Sequence, residues 1–404
     1  MEIAFSELKD APLERLHKAR DELQPDEILI LTDCPEHARR NSGISNAKVL
    51  DIAKTLGFEE LEALRHPESS ASFKLRLKRK PRVHFSVRRD TDYTDFSTAF
   101  RKVFDKDMER AFFSWKYGED QGSALIARDQ KGNFVGHYGF IRRWIHFEGR
   151  RVIALQVCDV FTTPGERGVL SRRGTFHMLA RLFQTLYLNE GAEAAFAYGF
   201  PNPRAMAVAG FGKVYLQSDR ILQCRWPRKT PPDQWLHPWR LVCIEPGDLP
   251  GAILERLWSK MRKALHSVLL QERNTAYIRQ RYVQHPLHRY RFFLFSSRFP
   301  ILPAKALLIV REDEDATRLM DFVGHPRDFS SAIQSLIRFL SEENREASPL
   351  LAWVTPTILP FLKNMTHEAE ETGISIPVNA HVKTFPWSQI RDRWWTSFGD
   401  TDFL

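Results

Sequence analysis

The stretch Val152-Ile153-Ala154-Leu155-Gln156-Val157-Cys158-Asp159-Val160-Phe161-Thr162-Thr163, then Pro164-Gly165-Glu166-Arg167-Gly168-Val169-Leu170-Ser171-Arg172-Arg173-Gly174, decides how the rest is read. The first part is rich in Val, Ile, Leu and Phe and predicts a central strand that stops at Pro164. From Thr175 to Leu188 the residues Phe176, Leu179, Leu182, Phe183 and Leu186 fall on one helical face, and Gly191 ends the helix. Three glycines and three arginines therefore sit where a helix begins. Free amides and the positive end of the helix dipole make such a junction an anion site, and glycine lets a phosphate approach the backbone. The spacing is neither a Walker loop nor Gly-x-Gly-x-x-Gly.

Upstream, Phe96, Phe100, Val103, Phe104, Met108 and Phe112 recur at helical spacing and predict two short helices between Tyr93 and Phe113. The runs Ser123 to Asp129 and Phe134 to Ile141, separated by Gln130-Lys131-Gly132-Asn133, predict a hairpin. Downstream come a strand from Ala194 to Phe200, a short helix opened by Pro201-Asn202-Pro203, and a strand from Lys213 to Trp226. Residues 227–240, rich in Pro and Trp, read as a linker. The remainder repeats the plan: a helix from Leu249 to Gln271; strands Tyr290 to Ser296, Ala306 to Val310 and Leu319 to Val323; a helix from Ser330 to Ser341; a strand from Leu350 to Thr355; and a helix from Pro356 to Glu371. At the start, strand Glu27 to Leu31, helix Ala47 to Leu56 and strand Phe73 to Lys78 form a small α+β piece. Lys74 to Arg89 holds eight Lys or Arg residues, read as the wet face of a strand.

The 404 residues carry 43% hydrophobic and 27% charged residues, which excludes disordered, collagenous and fibrous chains. The net charge of +9 suits an anionic cofactor, nucleic acid or membrane face without choosing among them. Cys34, Cys158, Cys224 and Cys243 lie far apart with no zinc-site spacing, so no metal is expected. The start lacks the pattern of a signal peptide, and no long uncharged apolar run is present, so a reduced, cytoplasmic protein is expected.

Five segments, Phe113-Ser114-Trp115-Lys116-Tyr117, Val135-Gly136-His137-Tyr138-Gly139, Asp159 to Gly168, Tyr198-Gly199-Phe200-Pro201-Asn202 and Gly399-Asp400-Thr401-Asp402, together resemble the GNAT (GCN5-related) N-acetyltransferase superfamily and its bacterial tandem branch. The resemblance covers roughly residues 90–404. It departs from the usual loop, Arg/Gln-x-x-Gly-x-Gly/Ala: three positions after Arg167 stands Leu170, and a frame from Ser171 meets Gly174 but ends on Phe176.

The resemblance implies an α+β fold of tandem GNAT-like domains, each a mostly antiparallel twisted sheet flanked by helices. Residues 1–85 are then a small α+β region akin to a partial copy, 86–230 a GNAT domain with the acyl-thioester site, and 231–404 a degenerate second copy with a docked tail. It implies an N-acyltransferase that uses acetyl-CoA or another acyl thioester as co-substrate, with a small amine such as an amino sugar as acceptor. The amine attacks the thioester carbonyl, an oxyanion forms and the thiolate leaves, so catalysis is positioning, oxyanion stabilisation and proton transfer.

The implied donor contacts are Phe161, Thr162, Arg167, Gly168, Arg172, Arg173, Gly174, Thr175 and Asn202. Asp159 is the expected base, Tyr198 the acid for the leaving thiolate, and His137 a proton relay. Trp115, Tyr117, Asp400 and Asp402 are expected to shape the acceptor site. Each has a plainer alternative: Asp159 bonded to nearby backbone, Tyr198 and His137 as satisfied core residues, Asn202 as a helix cap, and the aromatic cluster at Trp115 as packing. Two other functions stay open, a transferase taking amino acids from charged tRNA and a non-catalytic scaffold, and within the leading reading an acyl carrier protein is an alternative carrier of the donor.

Overall fold

A computed structural model describes the chain except residues 5–7, 9–10, 25–26, 36–45, 66–69, 78–82, 119–120, 167–173, 189–191, 212–214, 228–238, 299–302, 344–347, 363–364, 366–367, 380–385 and 402–404. It divides into two compact units, the first of residues 1–141 and 157–195, the second of 142–156 and 196–404. Both are mixed α/β, with sheets flanked by helices.

The first unit opens with β1 (Glu2–Ala4), α1 (Pro12–Glu22), β2 (Ile28–Pro35), α2 (Asn46–Thr55), β3 (Phe58–Arg65) and β4 (Ser70–Leu77). These strands form one sheet in the order β1-β2-β4-β3. Alternation in β4 works as expected: Leu75 and Leu77 are fully buried while Arg76 is exposed. Next come β5 (Val83–Val87), α3 (Tyr93–Phe104), α4 (Arg110–Tyr117), β6 (Gly122–Asp129), β7 (Phe134–Phe147), β8 (Arg150–Thr162) and α5 (Thr175–Tyr187). β5, β6 and β7 run antiparallel, with Phe85 opposite Ala127 and Ile126 opposite His137. Asp129 closes the β6–β7 turn by accepting from the amides of Lys131 and Asn133. β7 and β8 are joined by Glu148-Gly149, both at positive φ (50° and 75°), as a tight two-residue hairpin turn requires. Phe96, Phe113, Phe134 and Phe161 build the aromatic core under α3 and α4.

The second unit takes the β7–β8 tips, then β9 (Ala194–Gly199), α6 (Pro203–Phe211), β10 (Tyr215–Trp226), β11 (Trp239–Ile244), α7 (Gly251–Ala264), β12 (Leu269–Gln271) and α8 (Thr275–Ile278). It continues with β13 (Arg291–Ser297), β14 (Ala306–Glu312), β15 (Thr317–Gly324), α9 (Phe329–Glu342), β16 (Leu350–Val354), β17 (Glu368–Asn379), α10 (Trp387–Ile390) and β18 (Trp394–Trp395). β13, β14 and β15 are an antiparallel meander, and β16 returns through α9 to lie parallel to β15. β10 lies between β16 and β17 and is antiparallel to both.

Two sequence expectations need correction. The helix expected from Pro356 to Glu371 is a 3-10 segment, Pro356–Leu362, with Pro360 inside it, followed by strand β17. Arg220 to Arg225 of β10 pairs with Glu368 to Ser375, and these cross-strand bonds outweigh the helical propensity of Glu368-Ala369-Glu370-Glu371. The helix expected through Gln271 stops at Ala264, and Leu269–Gln271 is β12, pairing with His146 and Ile145 of β7.

Candidate functional site

Within the first unit, polar chemistry gathers at a break in the regular geometry of β8, a strand that nevertheless runs on to Thr162. Asp159 has φ 47°, a left-handed conformation that Asp tolerates better than most residues. The break turns its carboxylate toward α4, where Oδ2 accepts from the Tyr117 hydroxyl and from Lys116 Nζ at 2.9 Å. Lys116 and Tyr117 are buried, and Oδ1 of Asp159 accepts no bond from any described residue. Burial and the Asp159 charge push the Tyr117 hydroxyl well above 10, so it stays a donor.

His137 of β7 locks the break from behind. Its Nδ1–H donates to the Asp159 carbonyl at 2.7 Å, which leaves Nε2 without a proton and facing Arg88 Nη1 at 3.5 Å. Burial, then the charge of Arg88, holds the ring far below its ordinary value, so it is neutral. The ring stacks on Phe161 (centroids 5.6 Å, 18°), and the Arg88 guanidinium lies 3.9 Å over the Tyr117 ring.

Gly139 makes this packing geometrically available. A Cβ there would lie 2.5 Å from Tyr117 Oη, 2.8 Å from the Cys158 carbonyl and 2.8 Å from His137 Cε1. The sequence motif Gly136-His137-Tyr138-Gly139 thus carries the close approach, whereas Arg88 gave no signal apart from its basic neighbours.

Beyond β8, Gly174 is the N-cap of α5 and offers no side-chain bond, and the first turn holds no acidic residue. Thr175 Oγ1 donates to Glu166 at 2.7 Å. The 13-residue helix has no acidic residue in its own first turn, and the Glu166 carboxylate held by Thr175 lies at the positive end of its dipole. Phe161 points into the aromatic core, Thr162 is half-buried, and Trp115 stacks on Phe112 at 5.5 Å. Arg167, Gly168, Arg172 and Arg173 lie outside the described residues.

The second unit holds the other expected site residues. Tyr198 is buried on β9 and donates to Gln271 Oε1 at 3.2 Å, while Gln271 Nε2 donates to Tyr277 Oη at 2.6 Å. Asn202 caps α6 by accepting from Ala205 N at 2.9 Å. Asp400 is buried in a turn, where Oδ2 accepts from Arg273 Nη2 at 2.7 Å and from the Ser397 amide at 2.8 Å. Arg273 also binds Asp321 Oδ1 at 2.6 Å, and Arg281 Nε donates to the Gly399 carbonyl at 3.0 Å. Asp402 lies outside the described residues. Thus Asp159, His137 and Tyr117 come together in one unit, and Tyr198 and Asp400 belong to the other. Lys116, Arg88, Gln271 and Arg273 are the partners that spacing alone did not assign. Among the described residues no group of three or more His, Cys, Asp or Glu side chains forms a metal site, and no helix is long and apolar enough to cross a membrane.

Residues 86–212 match the family model of the acetyltransferase (GNAT) domain. Over these residues the chain is similar to a GNAT domain. This is an acyltransferase module, and the fold agrees with solved GNAT structures. A protein of Enterococcus faecalis V583, named a probable N-acyltransferase, is similar at TM-score 0.58 and 10% identity, with 75% of this chain and 74% of that one covered. The GCN5-related N-acetyltransferase of Kribbella flavida aligns at 0.53 and 12%, over 74% and 71% of the two chains. That of Anabaena variabilis ATCC 29413 aligns at 0.53 and 12%, over 74% of each. A comparison with curated proteins finds no match.

Proposed function

We propose that this protein is an N-acyltransferase that moves an acetyl or other acyl group from a coenzyme A thioester to a small amine, such as an amino sugar or amino acid. The observation that carries the reading is the junction inside the GNAT match: the left-handed Asp159 within β8, then α5 entered through Gly174 with no acidic residue in its first turn and Glu166 held by Thr175. The free amides of a helix start suit a pyrophosphate, which here would take the place of the Glu166 carboxylate at Thr175. Gly174, Thr175 and the arginines Arg167, Arg172 and Arg173 are the proposed donor contacts, with Phe161, Thr162 and Gly168 beside them and Asn202 on the pantetheine arm.

In the reaction, the neutral amine nitrogen bonds to the thioester carbonyl carbon and the C–S bond breaks. Products are the amide and a free thiol. Asp159, through its open Oδ1, is the proposed acceptor of the amine proton, and Tyr198 the proposed donor to the leaving thiolate. His137, held neutral, positions Asp159 through its carbonyl. Trp115 and Tyr117 belong to the proposed acceptor side. The buried thiols Cys158 and Cys224 suit a reducing, cytoplasmic setting.

The second half of the chain is proposed as a degenerate copy. Its order β13-β14-β15-α9-β16 repeats β6-β7-β8-α5-β9, which supports the tandem reading with residues 1–85, 86–230 and 231–404 as successive segments.

Calorimetric titration with acetyl-CoA tests the reading, repeated with Arg167, Arg172 and Arg173 changed together to Ala. Micromolar binding that weakens by at least tenfold in the variant is expected. A folded wild-type protein that binds neither acetyl-CoA nor a longer acyl-CoA would overturn it.

A further inference from the structure

Two consecutive arginines at the end of the basic run have different surroundings. Arg89 is exposed and pairs with Glu14 at 2.7 Å, whereas Arg88 is half-buried and no carboxylate of a described residue lies within ion-pair distance of it. The Arg88 amide donates to the Ala124 carbonyl at 2.9 Å, which fixes its main chain beside β6. Its guanidinium carbon lies 3.9 Å from the centre of the Tyr117 ring and 4.5 Å from that of Phe113, and Nη1 reaches His137 Nε2 at 3.5 Å. All of these residues belong to the first unit.

One guanidinium thus touches two of the side chains that hold Asp159. The Tyr117 hydroxyl donates to its Oδ2, and His137 Nδ1–H donates to its main-chain carbonyl at 2.7 Å. The bond to the carbonyl requires a proton on Nδ1, which the neutral ring and the imidazolium both possess. The state of Nε2 decides between them. Arginine donates, never accepts and keeps its charge, so Arg88 admits only a bare Nε2. The ring is then one species in one orientation, with its donor edge on Asp159 and its acceptor edge on Arg88. Burial, then the Arg88 and Lys116 charges, act against a second proton. The charged and titratable groups around the ring are Arg88 after β5, Lys116 and Tyr117 from α4, and Asp159 from β8, with Cys158 Sγ 3.5 Å beyond the Tyr117 hydroxyl.

We infer that Arg88 is a positioning residue for Asp159: it holds His137 at Nε2 and Tyr117 by its ring face, and so keeps the carboxylate where it can take a proton from the amine. Such a hold matters because a displacement of about 1 Å costs roughly a hundredfold in rate. The role of Asp159 as base rests on the acyltransferase reading, while the hold on His137 and Tyr117 does not. Lysine in place of Arg88 would keep a donor and a charge, and methionine would keep only bulk.

The test uses the full-length protein with Arg88→Met and Arg88→Lys. The histidine ring nitrogens are followed by nuclear magnetic resonance from pH 5 to 8, and the His137 signals are assigned by their loss in His137→Gln. In wild type Nδ1 should be protonated and Nε2 bare throughout. Arg88→Met should place a proton on Nε2 in part of the molecules, with a pH dependence that wild type lacks, and Arg88→Lys should restore the wild-type pattern. Acetyl transfer from acetyl-CoA to glucosamine and to L-lysine is measured on the same samples. Arg88→Met should lower kcat by about tenfold or more with the KM for acetyl-CoA unchanged, and Arg88→Lys should recover most of the loss. A folded Arg88→Met protein whose His137 signals match wild type overturns the inference, whatever its activity. Should that variant not fold, Arg88→Gln, whose amide can accept as well as donate, is read in the same way. Acetyl-CoA titration separates the two ideas: donor binding with His137 signals unmoved removes the Arg88 role alone, and moved His137 signals without donor binding by wild type remove the acyltransferase reading alone.

Discussion

The imidazole of His137 donates its Nδ1 proton to the main-chain carbonyl of Asp159 at 2.7 Å, tying β7 to the one residue of β8 that leaves extended geometry. One ring thereby fixes both the backbone of the break and the direction of the carboxylate beyond it.

Because that ring is neutral and fully enclosed, its nuclear magnetic resonance signals should not move between pH 5 and 8. His137→Gln, which retains a donor, should lose less stability than His137→Leu, which leaves the Asp159 carbonyl unpaired at a cost of about 1–3 kcal/mol. Denaturant titration of the two variants checks this. Equal losses would show that the bond contributes nothing specific.

Gly139→Ala places a methyl 2.5 Å from Tyr117 Oη and 2.8 Å from a main-chain carbonyl that cannot rotate away. The substitution should cost about 2–3 kcal/mol by overpacking. A midpoint of unfolding unchanged from wild type would show that β7 and β8 separate freely here.

Lys116 and Asp159 form a buried pair, with side chains 2% and 10% exposed. Lys116→Met alone leaves a buried carboxylate and should cost about 3–5 kcal/mol, while Lys116→Met combined with Asp159→Leu should cost clearly less. A double-mutant cycle measures the coupling, and simple additivity would remove the pair as a stabilising unit.

Acid should destabilise the fold through two buried imidazoles, already between pH 6.5 and 5. His17 accepts from the Phe85 amide and His285 from the amides of Leu287 and His288, and burial pushes both rings down to about 3. Between pH 6.5 and 3 the unfolded chain binds protons at these rings that the folded chain does not. Stability therefore falls with falling pH, by up to about 1.4 kcal/mol per ring per pH unit, and the loss levels off near pH 3. Asp219, raised by burial to about 6, works with the opposite sign between pH 6 and 3.8 and offsets part of the loss. Unfolding midpoints at pH 7.5 and 5, for wild type and His17→Gln, check the balance. The variant should show the shallower dependence.

The order of β6, β7, β8 and α5 was legible because turns and alternation mark each boundary locally. The helical aromatic repeat from Phe96 to Phe112 likewise predicted the core over which α3 and α4 pack. β17 was not legible, since Glu368 to Glu371 favours a helix in isolation and becomes a strand only by pairing with β10. Asp159 and His137 were visible as candidates on adjoining strands. Their relationship was not, because it depends on one positive φ that no periodicity announces. Arg88 merged into a basic run, and its role is defined by what surrounds it in space.

The chain order of the β7–β8 hairpin sets a delay during synthesis. His146 and Ile145 pair with Leu270 and Gln271, which follow more than a hundred residues later. At ribosomal rates of roughly 5–20 residues per second, the hairpin edge waits many seconds without its neighbour. Trp144 adds an exposed aromatic ring at that tip. The nascent chain therefore presents a temporary adhesive margin, and rapid overproduction should drive this protein into aggregates more readily than its finished form would suggest.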